Sequence, residues 1–529
     1  MTLKEMTDAL AARKERALRM GGPEKIKRQH DRGKLTARER IDLLLDPGSF
    51  EEFGILAKQP GTKPEESPAD GLITGYGAID GRPVGVAAYD FTVYGGSMGR
   101  VGETKASRLR EMVTKSRVPI IWLVDSGGAR IQAEAGGYAG SGARESGDDF
   151  GASVFADTGY LFREQCVMSG VIPQVAAMVG PGAAGTAYIP GLADFVPMVK
   201  GQSSMALGGP YLVKAAVGEE ISEEDLGGSK VHCEISGCAD LEVPDDAACM
   251  QAVRKYLSFF PSHCGEAPPV IPCADPWDRR EESLLTLVPE SPRRAYDMLK
   301  VVKAIVDHGD VFEIKPRYAR NVITALARLD GRPVGVVANN PMHLGGMLDV
   351  NASDKAARFV NLCDAYGIPL VFLQDVPGYV VGSKAEQAGI IRHGAKMIHR
   401  VANATVPKLT VVIRKAYGAG YYGMAGKAYE PDYLAAWPLA EISVMGAEGM
   451  VSIFGRKMLD AAGEGAAELR QQFIDRINKG ITPYIPAQLG MIDDVIDPRD
   501  TRPALIRALR RTVGKQVERP WRKLSIVPV

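Results

Sequence analysis

Two uninterrupted apolar runs stand out along the chain. One is Val118-Pro119-Ile120-Ile121-Trp122-Leu123-Val124, which ends at Asp125; the other is Ile368-Pro369-Leu370-Val371-Phe372-Leu373, which ends at Gln374-Asp375. Runs of this length, flanked by amphipathic segments, predict strands buried on both faces. Each is preceded by a helical pattern (Glu103 to Ser116; Ser353 to Tyr366), a Gly-Gly turn and an earlier strand (Pro83 to Tyr89; Pro333 to Asn339). A third strand follows each, Gln174 to Val179 and Leu409 to Ile413. In the second half a single helix is predicted before it, opening on the capping box Ser383-Lys384-Ala385-Glu386 and ending before Pro407. Strand, helix, strand in this order implies right-handed β-α-β crossovers and an α/β fold.

The two patterns are one pattern repeated. Asp80-Gly81-Arg82-Pro83-Val84-Gly85-Val86 returns as Asp330-Gly331-Arg332-Pro333-Val334-Gly335-Val336. Gly95-Gly96, Lys105-Ala106, Arg108, Pro119 and Asp125 all recur at the same offset of 250 positions. Constant register over so long a stretch predicts two units of one design. At the third strands the offset falls to 234, so the first half carries 16 extra residues. They fall in a segment rich in glycine: Gly127, Gly128, Gly136, Gly137, Gly140, Gly142, Gly147 and Gly151. Long loops of this kind inside a packed domain are usually functional or mobile.

Around this repeat, residues 1 to about 45 read as charged helices ending in the turn Asp46-Pro47-Gly48-Ser49. The stretch 260–292 holds seven prolines and no sustained period, which predicts a linker. We therefore expect domains at 1–265 and 266–529. The tail after 450 reads as mainly helical.

Composition narrows the function. Of 529 residues, 45% are apolar and 24% charged, with 64 basic against 64 acidic side chains. A net charge of zero gives no support for nucleic-acid binding. No apolar run reaches the length of a membrane span. Acidic residues near the N-terminus and no apolar segment behind them argue against a targeting peptide, so a cytoplasmic protein is expected, or one of an organelle matrix if a presequence has been removed. Seven cysteines at irregular spacing and seven scattered histidines predict no metal site.

Candidate chemistry lies where each third strand ends. Both strands run into small residues: Gly180-Pro181-Gly182-Ala183-Ala184-Gly185-Thr186-Ala187-Tyr188, and Ala416-Tyr417-Gly418-Ala419-Gly420-Tyr421-Tyr422-Gly423. A strand, a small-residue turn and a helix leave backbone N–H groups free at the helix start. Two such groups aimed at one carbonyl oxygen form an oxyanion hole. Tight helix-to-sheet packing also selects glycine and alanine, but two such turns at one place in two repeats favour a reaction with two oxygens to hold. No P-loop, dinucleotide fingerprint or nucleophile elbow is present. A hydratase of related fold would need paired carboxylates in the pocket, and none is evident. Ala395-Lys396-Met397 superficially resembles a biotin-attachment lysine, but it sits mid-helix, so any biotin must come on another chain.

Several motifs jointly resemble the carboxyltransferase (β) subunits of biotin-dependent acyl-CoA carboxylases, the propionyl-CoA and methylcrotonyl-CoA carboxylase family. They are Arg32-Gly33-Lys34-Leu35-Thr36-Ala37-Arg38-Glu39-Arg40-Ile41-Asp42, Asp90-Phe91-Thr92-Val93-Tyr94-Gly95-Gly96-Ser97, Asp375-Val376-Pro377-Gly378-Tyr379, Gly389 to Lys396, and Trp437-Pro438 with Glu441 to Gly446. The resemblance spans essentially the whole chain. It implies two crotonase-like (ClpP-like) β-β-α superhelix domains in tandem, the first on the acyl-CoA side and the second on the biotin side. It further implies a homohexameric β core whose active site is shared between neighbouring subunits, and a biotin carboxylase and biotin carboxyl carrier (α) subunit as partner. By the same resemblance, N–H groups at Ala184 and Gly185 hold the thioester oxygen, and those at Ala419 and Gly420 hold the biotin ureido oxygen. Gly182, Ala183, Gly128 and Tyr422 would line the substrate pocket, and Gly418 and Tyr421 the biotin pocket. Biotin nitrogen would take the α-proton, so no side-chain base is required. Two departures bear on the substrate. The family commonly has glycine where Ala184 stands, and its propionyl and acetyl members typically have aspartate where Tyr422 stands. Gly418 to Met424 and Val213 to Glu220 are closer to the methylcrotonyl type, whereas the opening motif leans to the propionyl type. The expected reaction is carboxyl transfer to a propionyl-CoA-like acyl group, with a methylcrotonyl-type carboxylase or a decarboxylase component as alternatives.

Overall fold

The run Ile120–Ser126 is buried at every position because helices or chain cover both faces of its sheet. The same holds for Leu370–Val376. In the computed structural model, which describes residues 1–130 and 159–528, each run is the middle of its own sheet. The chain forms two compact units, Met1–Glu266 and Ala267–Val529. Of the glycine-rich segment, Gly136, Gly137, Gly140, Gly142, Gly147 and Gly151 lie outside the described residues.

In the first unit the strands are β1 (Glu51–Phe53), β2 (Leu72–Ile79), β3 (Arg82–Tyr89), β4 (Ile120–Ser126), β5 (Gln174–Ala183), β6 (Pro197–Val199), β7 (Ser204–Ala206) and β8 (Leu241–Val243). Their order is β1-β2-β3-β4-β5-β6-β8, with β7 paired to the end of β5. In the second unit they are β9 (Phe312–Ile314), β10 (Val322–Leu329), β11 (Arg332–Asn339), β12 (Leu370–Val376), β13 (Lys408–Tyr417), β14 (Tyr433–Ala436), β15 (Glu441–Ser443) and β16 (Asp494–Val495). That order is the same one: β9-β10-β11-β12-β13-β14-β16, with β15 on the end of β13. In both, the first pairings are antiparallel and the rest parallel. The register matches as well. Gly85 faces Ile120 in one unit and Gly335 faces Leu370 in the other.

The repeat extends further than its sequence match. In the first unit the Asp80-Gly81 turn donates both N–H groups to Asp46, at 3.1 and 2.8 Å, and Arg254 pairs with Asp46 and Asp80. In the second, Asp330-Gly331 donates to Asp307 at 3.0 and 2.8 Å; Arg502 pairs with Asp307 and Arg510 with Asp330. Each unit thus ties its central hairpin to its own last helix, Asp246–Leu257 or Thr501–Arg511.

Two expectations change. The predicted single helix before β13 is two, Ser383–Gln387 and Ile390–Asn403, split at Gly389 with φ 84°. Gly382 rather than Ser383 is the cap residue, so the capping box does not form. The expected linker is also structured. Ile271 donates its N–H to the Gly331 carbonyl, Leu284 and Val288 join the second core, and Arg279 pairs with Asp275. Proline and missing periodicity exclude regular elements, yet a few buried apolar side chains suffice to fasten such a segment as a strap.

Candidate active site

Both small-residue turns begin the same way. Between Val124 and Ser126 the β4–β5 register slips, so that Ser126 faces Gly182. Between Gln374 and Val376 the β12–β13 register slips likewise, and Val376 faces Ala416. Such bulges turn a strand end out of the ladder. Each long strand then passes into a short helix, Gly185–Leu192 or Gly418–Gly423.

The hinge residues are Ala184, at φ 51°, and Gly418, at φ 54°. By the offset of 234 positions at the third strands they are counterparts, and so are Gly185 and Ala419. A left-handed conformation suits glycine and strains alanine by about 1–2 kcal/mol. Ala184 is therefore held against its own preference, as happens at functional turns.

Donor availability differs from the expectation at one position. The N–H of Ala184 donates to the Ala206 carbonyl on β7 at 3.2 Å. It extends the β5–β7 ladder and is already engaged. The N–H of Gly185, in the first turn of its helix, has no acceptor among the described residues. The same is true of Ala419 and Gly420. The strand β7 is three residues long and carries no periodic signal, so nothing in the sequence announced it.

The remaining candidates cluster around these turns. Gly182 is buried opposite Ser126. Ala183 is fixed by Thr186, whose hydroxyl accepts from the Ala183 N–H at 3.0 Å and donates to its carbonyl at 2.9 Å. Gly128, at φ 93°, donates its N–H to Ser126 Oγ at 3.1 Å, and a Cβ there would lie 2.8 Å from the Ala183 carbonyl oxygen. The structure thus brings Gly128, Gly182, Ala183 and Gly185 together. In the second unit, a Cβ on Gly420 would come within 2.6 Å of Val376 Cγ2 and 3.0 Å of Gly378 Cα. Tyr421 is a packing residue: its hydroxyl accepts from the Lys427 N–H at 3.0 Å, and burial pushes its phenol pKa up. Tyr422 is exposed and lies between the rings of Tyr421 and Tyr429, at 6.0 and 6.2 Å. Its counterpart by offset is Tyr188, equally exposed (47% against 46%), with its ring edge-on to Phe162 at 5.3 Å. Tyr188 was not singled out by sequence, although the shared offset would have found it.

Below the turns lie charges that sequence reasoning missed. Asp125 accepts from Lys34 at 2.6 Å, Gln29 at 2.9 Å and Arg40 at 2.9 Å. Arg40 also bonds Asp246 at 2.9 Å and the Val179 carbonyl at 3.0 Å. Burial opposes the charge on Arg40, but Asp125 and Asp246 together raise its pKa above the ordinary value. For Lys34 burial wins over the attraction of Asp125, and its pKa falls. In the second unit Asp375 accepts from Arg414 at 3.0 Å, and Arg414 also donates to the Ser291 and Arg294 carbonyls of the strap. No group of three metal-ligating side chains occurs among the described residues. No helix among them is long and apolar enough to cross a membrane.

Duplicated sheets, each ending in a turn that presents a free backbone donor, make this a tandem α/β chain. The Carboxyl transferase domain family matches residues 28–526, and the chain belongs to that family. It is 41% identical to the propionyl-CoA carboxylase beta chain of Roseobacter denitrificans, over 100% of both chains. It is 42% identical to the methylmalonyl-CoA carboxyltransferase 12S subunit of Propionibacterium freudenreichii subsp. shermanii, over 100% of this chain and 98% of that one. It is 39% identical to the methylmalonyl-CoA decarboxylase subunit alpha of Propionigenium modestum, over 98% of both. The solved structure of transcarboxylase 12S, a hexamer assembly with methylmalonyl-coenzyme A and methylmalonic acid bound, superposes with a TM-score of 0.91 at 40% identity, covering 100% of this chain and 99% of that one.

Proposed function

We propose that this chain is the carboxyltransferase subunit of a biotin-dependent acyl-CoA carboxylase acting on a short acyl-CoA such as propionyl-CoA. The observation that carries this reading is the pair of matching turns at the ends of the two longest strands, the first presenting the unengaged N–H of Gly185 and the second those of Ala419 and Gly420. The first turn takes the thioester oxygen through Gly185, and its donor grows in value as the carbonyl becomes an enolate oxygen. Gly128, Gly182 and Ala183 let the acyl group approach the backbone closely. The second turn takes a urea oxygen through Ala419 and Gly420, and this neutral, donor-only arrangement fits the biotin ureido group. When bound, carboxylated biotin supplies CO2 and a nitrogen to accept the α-proton. This chain's residues then need only orient two oxygens and exclude water, which fits turns that present backbone donors rather than a side-chain acid or base. By likeness to transcarboxylase 12S we infer a hexamer, with biotin carried on a partner subunit.

The test is ATP- and bicarbonate-dependent fixation by the chain co-purified with its biotinylated partner, on acetyl-, propionyl- and methylcrotonyl-CoA. Fixation is expected to favour propionyl-CoA. No fixation on any of them, with the biotinylated partner intact, rejects the reading. A second reading, decarboxylation of a methylmalonyl-type thioester, is favoured by the full-length likeness to the Propionigenium modestum decarboxylase subunit. Because the same turns stabilise the same enolate in either direction, the partner decides between the two.

A further inference from the structure

A buried aspartate stands at each bulge, and the two are clamped from different places. Asp375 is paired by Arg414, which lies on β13 itself. By the offset of 234 positions at the third strands, the position of Arg414 on β13 is that of Gly180 on β5. A Cβ at Gly180 would overlap the Asp125 carboxylate, so the first unit cannot carry its arginine there. It draws Arg40, together with Lys34 and Gln29, from the segment ahead of β1.

The clamp leads directly to the turn. Arg40 bridges Asp125 to the Val179 carbonyl, on neighbouring strands. Asp125 is followed by Ser126, which faces Gly182, and then by Gly128, which rests on the Ala183 carbonyl. Ala183 adjoins the strained hinge Ala184, and the hinge sets the direction of the Gly185 N–H. Lys34 and Arg40 lie too deep to touch a ligand at that N–H: both are buried, Lys34 with its ammonium 4.8 Å from the Phe91 ring centre.

We propose that Lys34 and Arg40 are positioning residues for the first turn, holding the Gly185 donor in line through Asp125. The segment 34–40 thereby tunes the acyl side alone, while the biotin side is tuned from within β13 by Arg414. This rests on the reading that the first turn holds the thioester oxygen.

Lys34→Gln and Arg40→Lys, each in the full chain with its partner, test the inference. Arg40→Lys risks misfolding because Arg40 also satisfies Asp246. Lys34→Gln leaves Asp125 its bonds from Arg40 and Gln29 and carries the test alone if needed. The expected result is a loss of kcat of about 10- to 100-fold, the scale set by small misplacements of reacting groups, with KM for propionyl-CoA held within about twofold. Amide hydrogen exchange in the peptide 180–187 should quicken, that in 414–420 should not, and Lys34→Arg should restore both readouts towards wild type. An unchanged kcat, unchanged exchange at 180–187, or a loss carried by KM overturns the inference. Should the wild-type enzyme fix nothing on any acyl-CoA, the functional reading fails while the exchange comparison still decides the clamp.

Discussion

Glycine at 420 is required by contact rather than by conformation. A methyl there meets Val376 and the backbone of Gly378 at 2.6 and 3.0 Å, and the backbone cannot retreat as a long side chain could. Gly420→Ala should destabilise the chain by about 1–3 kcal/mol, the usual cost of overpacking, as read from denaturant midpoints. Tyr422 is the opposite case. It is exposed and touches other aromatic rings, so Tyr422→Asp should leave stability within about 0.5 kcal/mol of wild type. Its effect should fall on substrate choice, raising kcat/KM for acetyl- and propionyl-CoA relative to methylcrotonyl-CoA; an unaltered ranking would remove Tyr422 from the specificity argument. At Ala184 the sequence placed a donor that the structure assigns elsewhere. The residue was legible as a turn, but its partner Ala206 stands 22 positions away on a strand of three residues, and no local pattern carries that pairing.

Among the elements, the strands that cross the sheets were readable because continuous burial leaves continuous apolar runs. The same holds for the helices Arg100–Ser116 and Val350–Ala365, whose buried residues recur at helical spacing. What escaped were features fixed by distant partners: the strap 267–296, the break at Gly389, and the arginines that reach back to each hairpin. Those arginines predict an asymmetry. Arg502 is fully buried, pairs with Asp307 at 2.7 Å and donates to the Ile305 carbonyl at 3.0 Å. Arg502→Met should cost about 3–5 kcal/mol, since it strands a carboxylate with its hydrogen bonds half made. Arg254 performs the equivalent tie closer to solvent, where water can replace the guanidinium, and Arg254→Met should cost clearly less. Paired thermal and denaturant unfolding of the two variants would check this, and equal losses would contradict it.

For the molecule as a whole, the repeat buries two equivalent lysines, Lys105 and Lys355. Each donates to backbone carbonyls near the start of a hairpin, Ala69 and Leu72 in one unit, Tyr318 and Val322 in the other. Burial lowers their pKa values, to about 8 for Lys105 and about 7 for Lys355, from an ordinary 10.5. Between those values and 10.5 the unfolded chain binds more protons than the folded one, so stability should rise with pH across that window and level off above it. Denaturant unfolding at several pH values from about 7 to about 10 should show the rise, and Lys355→Met should flatten it. A slope unaffected by that substitution would mean other groups dominate.

The bulges also record an order of events. Their position, one step from an aspartate on the middle strand, is shared to the residue by both units. The arginine that answers the aspartate is not shared. A single ancestral half that already bent its strand there before doubling accounts for the shared bulge, and the counter-charge then changed in at least one copy. A chimera made by joining two second halves would then bring its own arginine on each long strand, with no need of the first forty residues. A chain of two first halves would need that leading segment twice.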